Sequence, residues 1–518
     1  MYRNLSEYEV IMPYQQPLVP FIVHVADPVD LPIRKRGEAG LCRISETRLV
    51  SSGPRGLHIS AVGSDGEDLA IAIAAAGEGW TDGQTVRLRT GGLVATVRLD
   101  PWHLAFHDAD GRLLTSQNLD ETDISERLRI LPFGRSYAEG RIVAYHETFT
   151  ALPDEHFYGL GEKFTEFDKR GQRCIAWNYD AFSSESERSL KNVPFYLSTR
   201  GYGVLVGSGM ATEFDFCHST HAAVQITVPD DLLDYYVLAG PRPADVLRRY
   251  HALTGAPVVP PRWAFGTWIS TGYAARDDRS DGAIYHQERV VELARAIREH
   301  AVPCDVLHID TQWQRYDHWC DLRWDVERFP DPRGMLKELA GLGFRVSLWL
   351  NPYISHLSPV FGEAEAAGVL MRRRDGSTFV ADSWHGAQPA CGIVDFTTPA
   401  GVAWFQDQLR PLLQDGVAVF KTDFGEGVPV DAHTVDGRPG EDVHNVYSLL
   451  FNDAVADVTE QVHGHRVVWA RSSFTGGQRH AGQWSGDTNA TFTAMASTMR
   501  GGLSYALSGM PFWSHDVG

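Results

Sequence analysis

The sequence has no long apolar segment and no excess of positive charge. No run of 18 or more apolar residues occurs in its 518 residues, so no membrane-spanning helix is predicted. Lys and Arg number 47 against 66 Asp and Glu, which gives a formal net charge of −19. Nucleic acids and anionic membranes attract basic surfaces, so neither is expected as a partner.

Cysteine is scarce, and none of the short cofactor or metal motifs occurs. The six cysteines are Cys42, Cys174, Cys217, Cys304, Cys320 and Cys391. None forms a C-x-x-C pair, so no zinc site is predicted and free thiols are expected. A P-loop, an HExxH helix, a nucleophilic serine elbow and a dinucleotide-binding glycine motif are also missing, so no cofactor is expected. The N-terminal segment shows no secretory signal, which favours a cytoplasmic location.

The first 240 residues carry short alternating segments separated by Gly, Asp and Pro. Strands are predicted at 57–62, 85–88, 93–99 and 222–228. Closely spaced strands without a helix of ordinary length are typical of a β-sandwich. Residues 1–240 are therefore predicted to form an N-terminal β-sandwich domain, and the apolar spacing over 241–261 predicts a helical linker.

From residue 262 to 518, short apolar segments alternate with amphipathic helices. This alternation predicts an α/β fold, a (β/α)8-type TIM barrel, with an insertion at about 351–395. Seven strands are predicted, at 265–270, 306–309, 346–350, 417–420, 467–470, 482–484 and 510–513. An eight-stranded barrel would lack its eighth strand, so we expect the barrel to be incomplete at its C-terminus. We also expect the chain, taken alone, to be poorly soluble and weakly active or inactive.

The segment 416–426 is a buried strand that ends in charge. Lys421, Asp423 and Glu426 follow four apolar residues. Charges at the end of a buried strand are costly unless they are paired or used. A structural ion pair between Lys421 and Asp423 is one interpretation, and a catalytic site at the carboxyl end of a barrel is the other.

Every predicted barrel strand leads into polar or aromatic residues. The residues at or after the strand ends include Asp310, Trp349, Lys421, Asp423, Arg471, Asp487, His515 and Asp516. Carboxylates and Arg bind hydroxyl groups, and indole rings present flat apolar faces to a sugar ring. Two carboxylates without a metal or cofactor motif favour glycoside hydrolysis, with a small carbohydrate as substrate.

Several of these segments together resemble family 31 of the glycoside hydrolases, and within it the α-xylosidase branch. The resemblance covers residues from about 150 to the end. It rests on Lys421-Thr422-Asp423-Phe424-Gly425-Glu426, Trp484-Ser485-Gly486-Asp487, Met499-Arg500-Gly501-Gly502-Leu503-Ser504, Phe512-Trp513-Ser514-His515-Asp516, Gly159-Leu160-Gly161-Glu162-Lys163-Phe164 and Trp177-Asn178-Tyr179-Asp180.

The resemblance implies a retaining, exo-acting α-glycosidase with Asp423 as nucleophile and Asp487 as acid/base. The residues that it implies around the sugar are Asp310, Trp349, Lys421, Arg471, His515, Trp384, Tyr273, Asp516 and Asp180. Gln312 matches neither the α-xylosidases nor the α-glucosidases of the family. The sugar therefore stays open, with an α-glucosidase or a transglycosylase as the alternative to the α-xylosidase. Because the barrel is predicted to be incomplete, an inactive sugar-binding remnant is a further alternative. A homo-oligomer also stays open.

Overall fold

The structure is a computed structural model, and part of the chain lies outside its description. The described residues are 44–53, 56–63, 68–74, 78–82, 84–90, 92–99, 102–118, 122–125, 128–130, 133–138, 141–181, 184, 186–230, 232–271, 286–315, 318, 320–381 and 389–517.

The N-terminal part consists of antiparallel sheets. Its strands are β1 (Ile44–Gly53), β2 (Gly56–Gly63), β3 (Asp68–Ala74), β4 (Glu78–Asp82), β5 (Thr85–Thr90), β6 (Leu93–Arg98), β7 (His103–Asp108), β8 (Leu113–Ser116), β9 (Thr122–Ser125), β10 (Leu128–Ile130), β11 (Phe133–Ala138), β12 (Arg141–Thr150), β13 (Phe157–Gly161), β14 (Gln172–Ala176), β15 (Asn192–Ser198), β16 (Tyr202–Val206), β17 (Thr212–Phe216), β18 (Ala223–Val228) and β19 (Tyr235–Ala239). The sheet orders are β1-β2-β3, β4-β5-β6-β7-β8, β9-β10, β11-β12-β18-β17-β14 and β13-β15-β16-β19.

The sheet of β11, β12, β14, β17 and β18 packs on the sheet of β13, β15, β16 and β19 through aromatic side chains. Tyr196 of β15 contacts Phe214 of β17 with ring centroids 6.1 Å apart, and Phe157 of β13 contacts Phe216 of β17 at 5.3 Å. Such inward aromatic residues bury large apolar areas and hold two sheets together. The predicted N-terminal sheet domain is confirmed, and β2, β5, β6 and β18 lie where strands are predicted.

The rest of the described chain alternates between helices and strands. The helices are α1 (Pro243–Thr254), α2 (Gln287–Glu299), α3 (Pro332–Gly341), α4 (Pro359–Ala366), α5 (Pro399–Asp415), α6 (Gly440–His463) and α7 (Phe492–Leu507). The strands are β20 (Trp268–Ser270), β21 (Val306–Ile309), β22 (Arg345–Leu350), β23 (Tyr353–Ser355), β24 (Val380–Ala381), β25 (Cys391–Ile393), β26 (Val417–Thr422), β27 (Val467–Ala470) and β28 (Ala481–Gln483). Short 3-10 helices occur at Arg262–Phe265, Thr311–Trp313 and Gly477–Arg479.

The barrel sheet has the order β20-β21-β22-β26-β27-β28 among the described residues, and all neighbours are parallel. Helices α5 and α6 pack against β26, and its residues Val417, Val419 and Phe420 are buried. A strand covered on both faces explains the continuous apolar run in the sequence. The predicted barrel architecture is confirmed, and its parallel strands bring their carboxyl ends to one edge.

The seventh predicted strand, at 510–513, is not a strand in the structure. It is reduced to one parallel bridge between Trp484 and Ser514, in which the Ser514 N–H donates to Gln483 O at 2.8 Å. Phe512 instead contacts Phe265 with ring centroids 5.8 Å apart, which packs this segment against the residues that precede β20.

The insertion contains a small antiparallel sheet of β23, β25 and β24 together with α4. It also contains a hairpin, in which the Phe379 N–H donates to Met371 O at 2.8 Å and Gly376 has a φ of 86° at the turn. Arg373 and Arg374 are exposed at the tip.

Helix α1 lies inside the predicted linker and packs against β16 and β19. The domain boundaries at 240 and 261 stay predictions. No helix among the described residues is long and apolar enough to cross a membrane.

Candidate active site

The carboxyl ends of β22, β26 and β27 bring the predicted nucleophile and its partners together. The Asp423 N–H donates to Leu350 O at 2.8 Å, and the Arg471 N–H donates to Thr422 O at 2.9 Å. The backbone ladder therefore continues one residue beyond each strand. Its regularity places the side chains of Asp423 and Arg471 next to each other at the edge where barrel enzymes carry their chemistry.

The Asp423 carboxylate is held through both oxygens. Oδ1 lies 2.9 Å from Arg471 Nε and accepts a 2.8 Å hydrogen bond from the Phe424 N–H. Oδ2 accepts a 2.8 Å hydrogen bond from Trp349 Nε1. Phe424 has a φ of 55°, a left-handed conformation that costs an L residue about 1–3 kcal/mol. Its carbonyl accepts a 2.7 Å hydrogen bond from Ser472 Oγ, which helps to hold this turn.

One buried guanidinium serves several carboxylates. Arg471 Nε donates to Glu426 Oε1 at 2.8 Å, and Nη2 donates to Asp180 Oδ1 at 2.8 Å. Nη1 lies 3.8 Å from Asp487 Oδ2. Burial disfavours the cation, but the charges of Asp423, Glu426 and Asp180 outweigh this effect and raise the Arg471 pKa well above its ordinary value. Arg471 therefore stays charged and holds the carboxylates together.

Asp487, the predicted acid/base, is the more open of the two carboxyl groups. Its side chain is 55% exposed, against 12% for Asp423. Its pKa is nevertheless raised to about 6, first because the surrounding protein displaces water and second because Asp423 repels a further negative charge, while Arg471 opposes the shift. A carboxyl group with this pKa can hold a proton near neutral pH and release it, as a general acid and base must.

Glu426 is a site carboxylate that the sequence analysis left without a role. It is fully buried against Arg471. Its pKa is raised to about 7, first by burial and then by the charges of Asp180 and Asp423, although Arg471 opposes the shift. Its position three residues after Asp423 within the charged segment was the sequence signal for it.

Lys421 pairs with Asp516 rather than with Asp423. Its Nζ donates to Asp516 Oδ2 at 2.8 Å and lies 3.8 Å from the ring centroid of Trp484. Burial disfavours its charge, but Asp516 and Asp310 outweigh this effect and raise the Lys421 pKa. The interpretation of an isolated Lys421–Asp423 ion pair is therefore wrong.

Asp310 follows β21 and lies close to the same lysine. Its Oδ2 is 3.4 Å from His308 Nε2, and its Oδ1 accepts a 2.7 Å hydrogen bond from the Thr311 N–H. Burial raises its pKa, but the hydrogen bond from His308 and the charges of His308 and Lys421 reverse this and leave the pKa below its ordinary value. Asp310 is therefore held as a carboxylate that can accept hydrogen bonds from hydroxyl groups.

His515 directly precedes Asp516 in the chain. Its Nδ1 is 2.7 Å from Ser485 Oγ. Its ring stacks with that of Trp513, with an interplanar angle of 7° and ring centroids 6.4 Å apart. A hydrogen bond and a parallel ring together define the orientation of the imidazole.

The N-terminal part contributes Asp180 to this group of side chains, as the family resemblance implies. Asp180 is buried against Arg471. Two residues earlier, the Asn178 N–H donates to Asn445 Oδ1 of α6 at 2.8 Å. Asn178 Nδ2 donates to Ser473 O at 3.0 Å. These contacts seat the loop on the barrel.

The structure thus brings together Asp423, Asp487, Arg471, Trp349, Lys421, Asp310, Asp180, His515 and Asp516. Tyr273 and Trp384 lie outside the described residues. Their roles, and those of the residues brought together, stay predictions. In the described part of the chain, no group of three or more His, Cys, Asp or Glu side chains is arranged to hold a metal ion.

An N-terminal antiparallel domain followed by a parallel barrel with strand-end carboxylates is typical of a barrel glycoside hydrolase. The family models agree with this class. Residues 257–518 match the family 31 TIM-barrel domain of the glycosyl hydrolases, and residues 71–215 match the family's N-terminal galactose mutarotase-like domain. The chain belongs to glycoside hydrolase family 31.

Individual relatives refine the comparison. Alpha-xylosidase XylQ of Lactiplantibacillus pentosus is 43% identical over 370 residues, which cover 70% of this chain and 47% of the relative. An alpha-xylosidase of Emericella nidulans is 36% identical over 367 residues, which cover 70% of this chain and 46% of the relative. The chain thus spans about half the length of these curated relatives. The Flavobacterium johnsoniae family 31 dextranase shares the fold with a TM-score of 0.74 at 24% identity, over 91% of this chain and 58% of that one.

Proposed function

We propose that this protein is a retaining, exo-acting α-glycosidase that releases terminal non-reducing α-linked xylose from oligosaccharides or glycosides. The observation that carries the proposal is the arrangement around Arg471. Asp423 is anchored through both oxygens, and Asp487 lies across the same guanidinium with a pKa of about 6. One carboxylate suited to attack and one suited to proton transfer are what a two-step glycoside hydrolysis needs.

In the first step, Asp423 attacks the anomeric carbon of the sugar while the bond to the leaving oxygen breaks. Oδ1 already contacts two donors, whereas Oδ2 accepts from Trp349. We therefore assign the attack to Oδ2, which forms the bond to carbon. Asp487 transfers its proton to the leaving oxygen, so that the departing group leaves as a neutral alcohol.

In the second step, Asp487 is a carboxylate and removes a proton from an incoming water. The water oxygen attacks the anomeric carbon, the bond to Asp423 breaks, and xylose is released with its original configuration. A sugar hydroxyl in place of water would make the same chain a transglycosylase. Lys421, Asp310, His515 and Asp516 are proposed to bind the sugar hydroxyls in both steps.

Xylose is favoured over glucose on two grounds. Two relatives with 43% and 36% identity are named alpha-xylosidases. In addition, Gln312 Oε1 accepts a 3.0 Å hydrogen bond from Arg328 Nη1, so this oxygen is already engaged within the protein. That contact weakens the case for Gln312 as the ligand of a glucose 6-hydroxyl. Tyr273 remains the proposed source of bulk against a 6-hydroxymethyl group.

The test compares p-nitrophenyl α-xyloside with p-nitrophenyl α-glucoside on the purified 518-residue chain. A higher kcat/KM for the xyloside is expected, and the Asp423→Asn variant, assayed in parallel, reveals any contaminating hydrolase. A higher kcat/KM for the glucoside would establish an α-glucosidase instead. Because both carboxylates and their partners are present, the geometry does not support an inactive remnant. The cytoplasmic location and a homo-oligomer stay predictions.

A further inference from the structure

We propose that Trp513 is a positioning residue for the sugar-binding wall, and that a buried ion pair of the N-terminal part, Glu162–Lys191, anchors it. The inference rests on the proposed function, because the wall consists of His515 and Asp516. It assigns a role to three of the sequence segments on which the family resemblance rests, namely 159–164, 499–504 and 512–516.

The anchor is an ion pair without access to solvent. Lys191 Nζ lies 2.5 Å from Glu162 Oε2, and both side chains are 0% exposed. Withdrawing two charges from water is costly, and such a pair contributes little net stability unless further hydrogen bonds complete it. Burial lowers the Lys191 pKa, although Glu162 opposes the shift. Since stability alone does not account for such a pair, we assign it a second role, at the contact between the N-terminal part and the barrel.

Trp513 completes the anchor from the barrel side. Its Nε1 donates a 2.5 Å hydrogen bond to Glu162 Oε1, the oxygen that Lys191 leaves open. Each carboxylate oxygen of Glu162 thus has its own donor, one from each part of the chain. A hydrogen bond to a carboxylate is about twice as strong as one between neutral groups, so the indole plane is held firmly.

The indole plane in turn orients the wall. The Trp513 and His515 rings are parallel within 7°, and His515 Nδ1 is tied to Ser485 Oγ on its other side. The next residue, Asp516, is the partner of Lys421. Displacing the indole would therefore shift the imidazole and the Asp516–Lys421 pair, while leaving Asp423 and Asp487 in place.

Two glycines of α7 make this arrangement possible. A Cβ atom on Gly502 would lie 2.7 Å from the Trp513 ring, and one on Gly501 would lie 2.7 Å from the Phe164 ring and 3.1 Å from Glu162 Cγ. Real Cβ atoms do not approach other atoms so closely, so only glycine fits at both positions. The Gly-Gly pair thus lets α7 lie directly against the anchor.

The same helix is fastened to β13, the strand that leads into Glu162. Ser504 Oγ donates to Gly159 O at 2.8 Å, and the Gly161 N–H donates to Ser508 Oγ at 2.8 Å. These two hydrogen bonds fix the position of β13 relative to α7 near Trp513. Through these contacts the N-terminal part influences the positions of His515 and Asp516, although neither residue belongs to it.

The first experiment separates binding from chemistry. Trp513→Phe keeps an aromatic ring and removes only the indole N–H. We expect a roughly tenfold increase in KM for the xyloside and in Kd for xylose, with kcat within about threefold. Trp102→Phe is the matched control, because its buried indole N–H has no hydrogen-bond partner among the described residues. Unchanged KM and Kd with only a lower Tm in Trp513→Phe would overturn the inference.

The second experiment does not require turnover. In a 15N-labelled chain, the indole N–H of Trp513, assigned by its loss in Trp513→Phe, should resonate downfield because of the carboxylate acceptor. Glu162→Gln keeps an oxygen acceptor but removes its charge, so the signal should move upfield. An unchanged signal in that variant would overturn the anchoring. If the wild-type chain failed to hydrolyse either glycoside, the proposed function would fall, and this resonance would still decide on the anchor.

Discussion

The indole N–H of Trp349 donates a 2.8 Å hydrogen bond to Oδ2 of Asp423. The tryptophan belongs to β22 and the aspartate follows the neighbouring β26, where Trp349 pairs with Lys421 in register. This bond sets the plane of the carboxylate, since Arg471 and the Phe424 N–H engage the other oxygen. If Asp423 is the nucleophile, as proposed, this anchoring leaves it little rotational freedom to lose on the way to the transition state.

The first prediction concerns the nucleophile itself. Asp423→Asn keeps the size of the side chain and removes its charge, so we expect kcat/KM to fall by at least about 10⁴-fold on every α-glycoside. The measurement is steady-state kinetics with aryl glycosides, with the exposed Asp407→Asn of α5 as control. A residual rate that depends on the leaving group would point to a different nucleophile.

The second prediction distinguishes the acid/base from the nucleophile. Asp487→Ala should lose the most activity on poor leaving groups and the least on activated aryl glycosides, which need little protonation. Azide should restore turnover of the activated substrates and give the α-glycosyl azide. Equal losses on all leaving groups, with no effect of azide, would mean that Asp487 has another role.

The third prediction is the pH dependence. In the proposed mechanism Asp487 must be protonated for the first step, and its pKa of about 6 lies above its ordinary value. We therefore expect kcat/KM to decline about tenfold per pH unit above roughly pH 6. In Asp487→Ala, assayed on an activated substrate, this decline should disappear. A decline that persists in the variant would assign it to another group.

The fourth prediction is the stereochemical outcome. Retention requires the two carboxyl groups of Asp423 and Asp487 to lie about 5–5.5 Å apart, whereas inversion requires roughly 6.5–9.5 Å for an intervening water. Proton NMR of the reaction at early times should show α-xylose before mutarotation mixes the anomers. The first appearance of β-xylose would exclude the double-displacement mechanism.

The fifth prediction concerns stability and lies away from the site. Glu147 of β12 is buried, and burial raises its pKa from 4.5 to about 8. Because the folded state holds this proton more tightly than the unfolded state, its contribution to stability is complete below about pH 4.5 and is lost as the pH rises through about 8. Glu147→Gln cannot ionise, so its Tm should improve relative to the wild type between pH 5 and pH 9.

The control for this substitution is Glu299→Gln, at the exposed end of α2. It should show the same pH dependence of Tm as the wild type. The comparison needs only differential scanning calorimetry or fluorimetry across the pH range. A Tm difference between Glu147→Gln and the wild type that is constant with pH would contradict the prediction.

The positions of the strands and of most site residues could be predicted because they depend on local sequence. Short buried runs such as 417–420 predict strands, and parallel strands deliver the residues after them to one edge. Asp423, Arg471 and Asp487 were found in this way and by the order of the motifs. The segment 510–513 shows the limit, since its apolar residues resemble a strand, whereas in the structure Phe512 packs against Phe265 and only the bridge between Trp484 and Ser514 forms.

The sequence by itself determined the family, the alternation of strands and helices, and which charged side chains follow the barrel strands, because these features are written in adjacent residues. Only the tertiary structure decided which charges meet. Arg471 binds Asp180, 291 residues away, and Lys421 binds Asp516 instead of its near neighbour Asp423. The pairing of charges, and the pKa that makes Asp487 a candidate acid, depend on distance and burial in three dimensions, which sequence spacing does not carry.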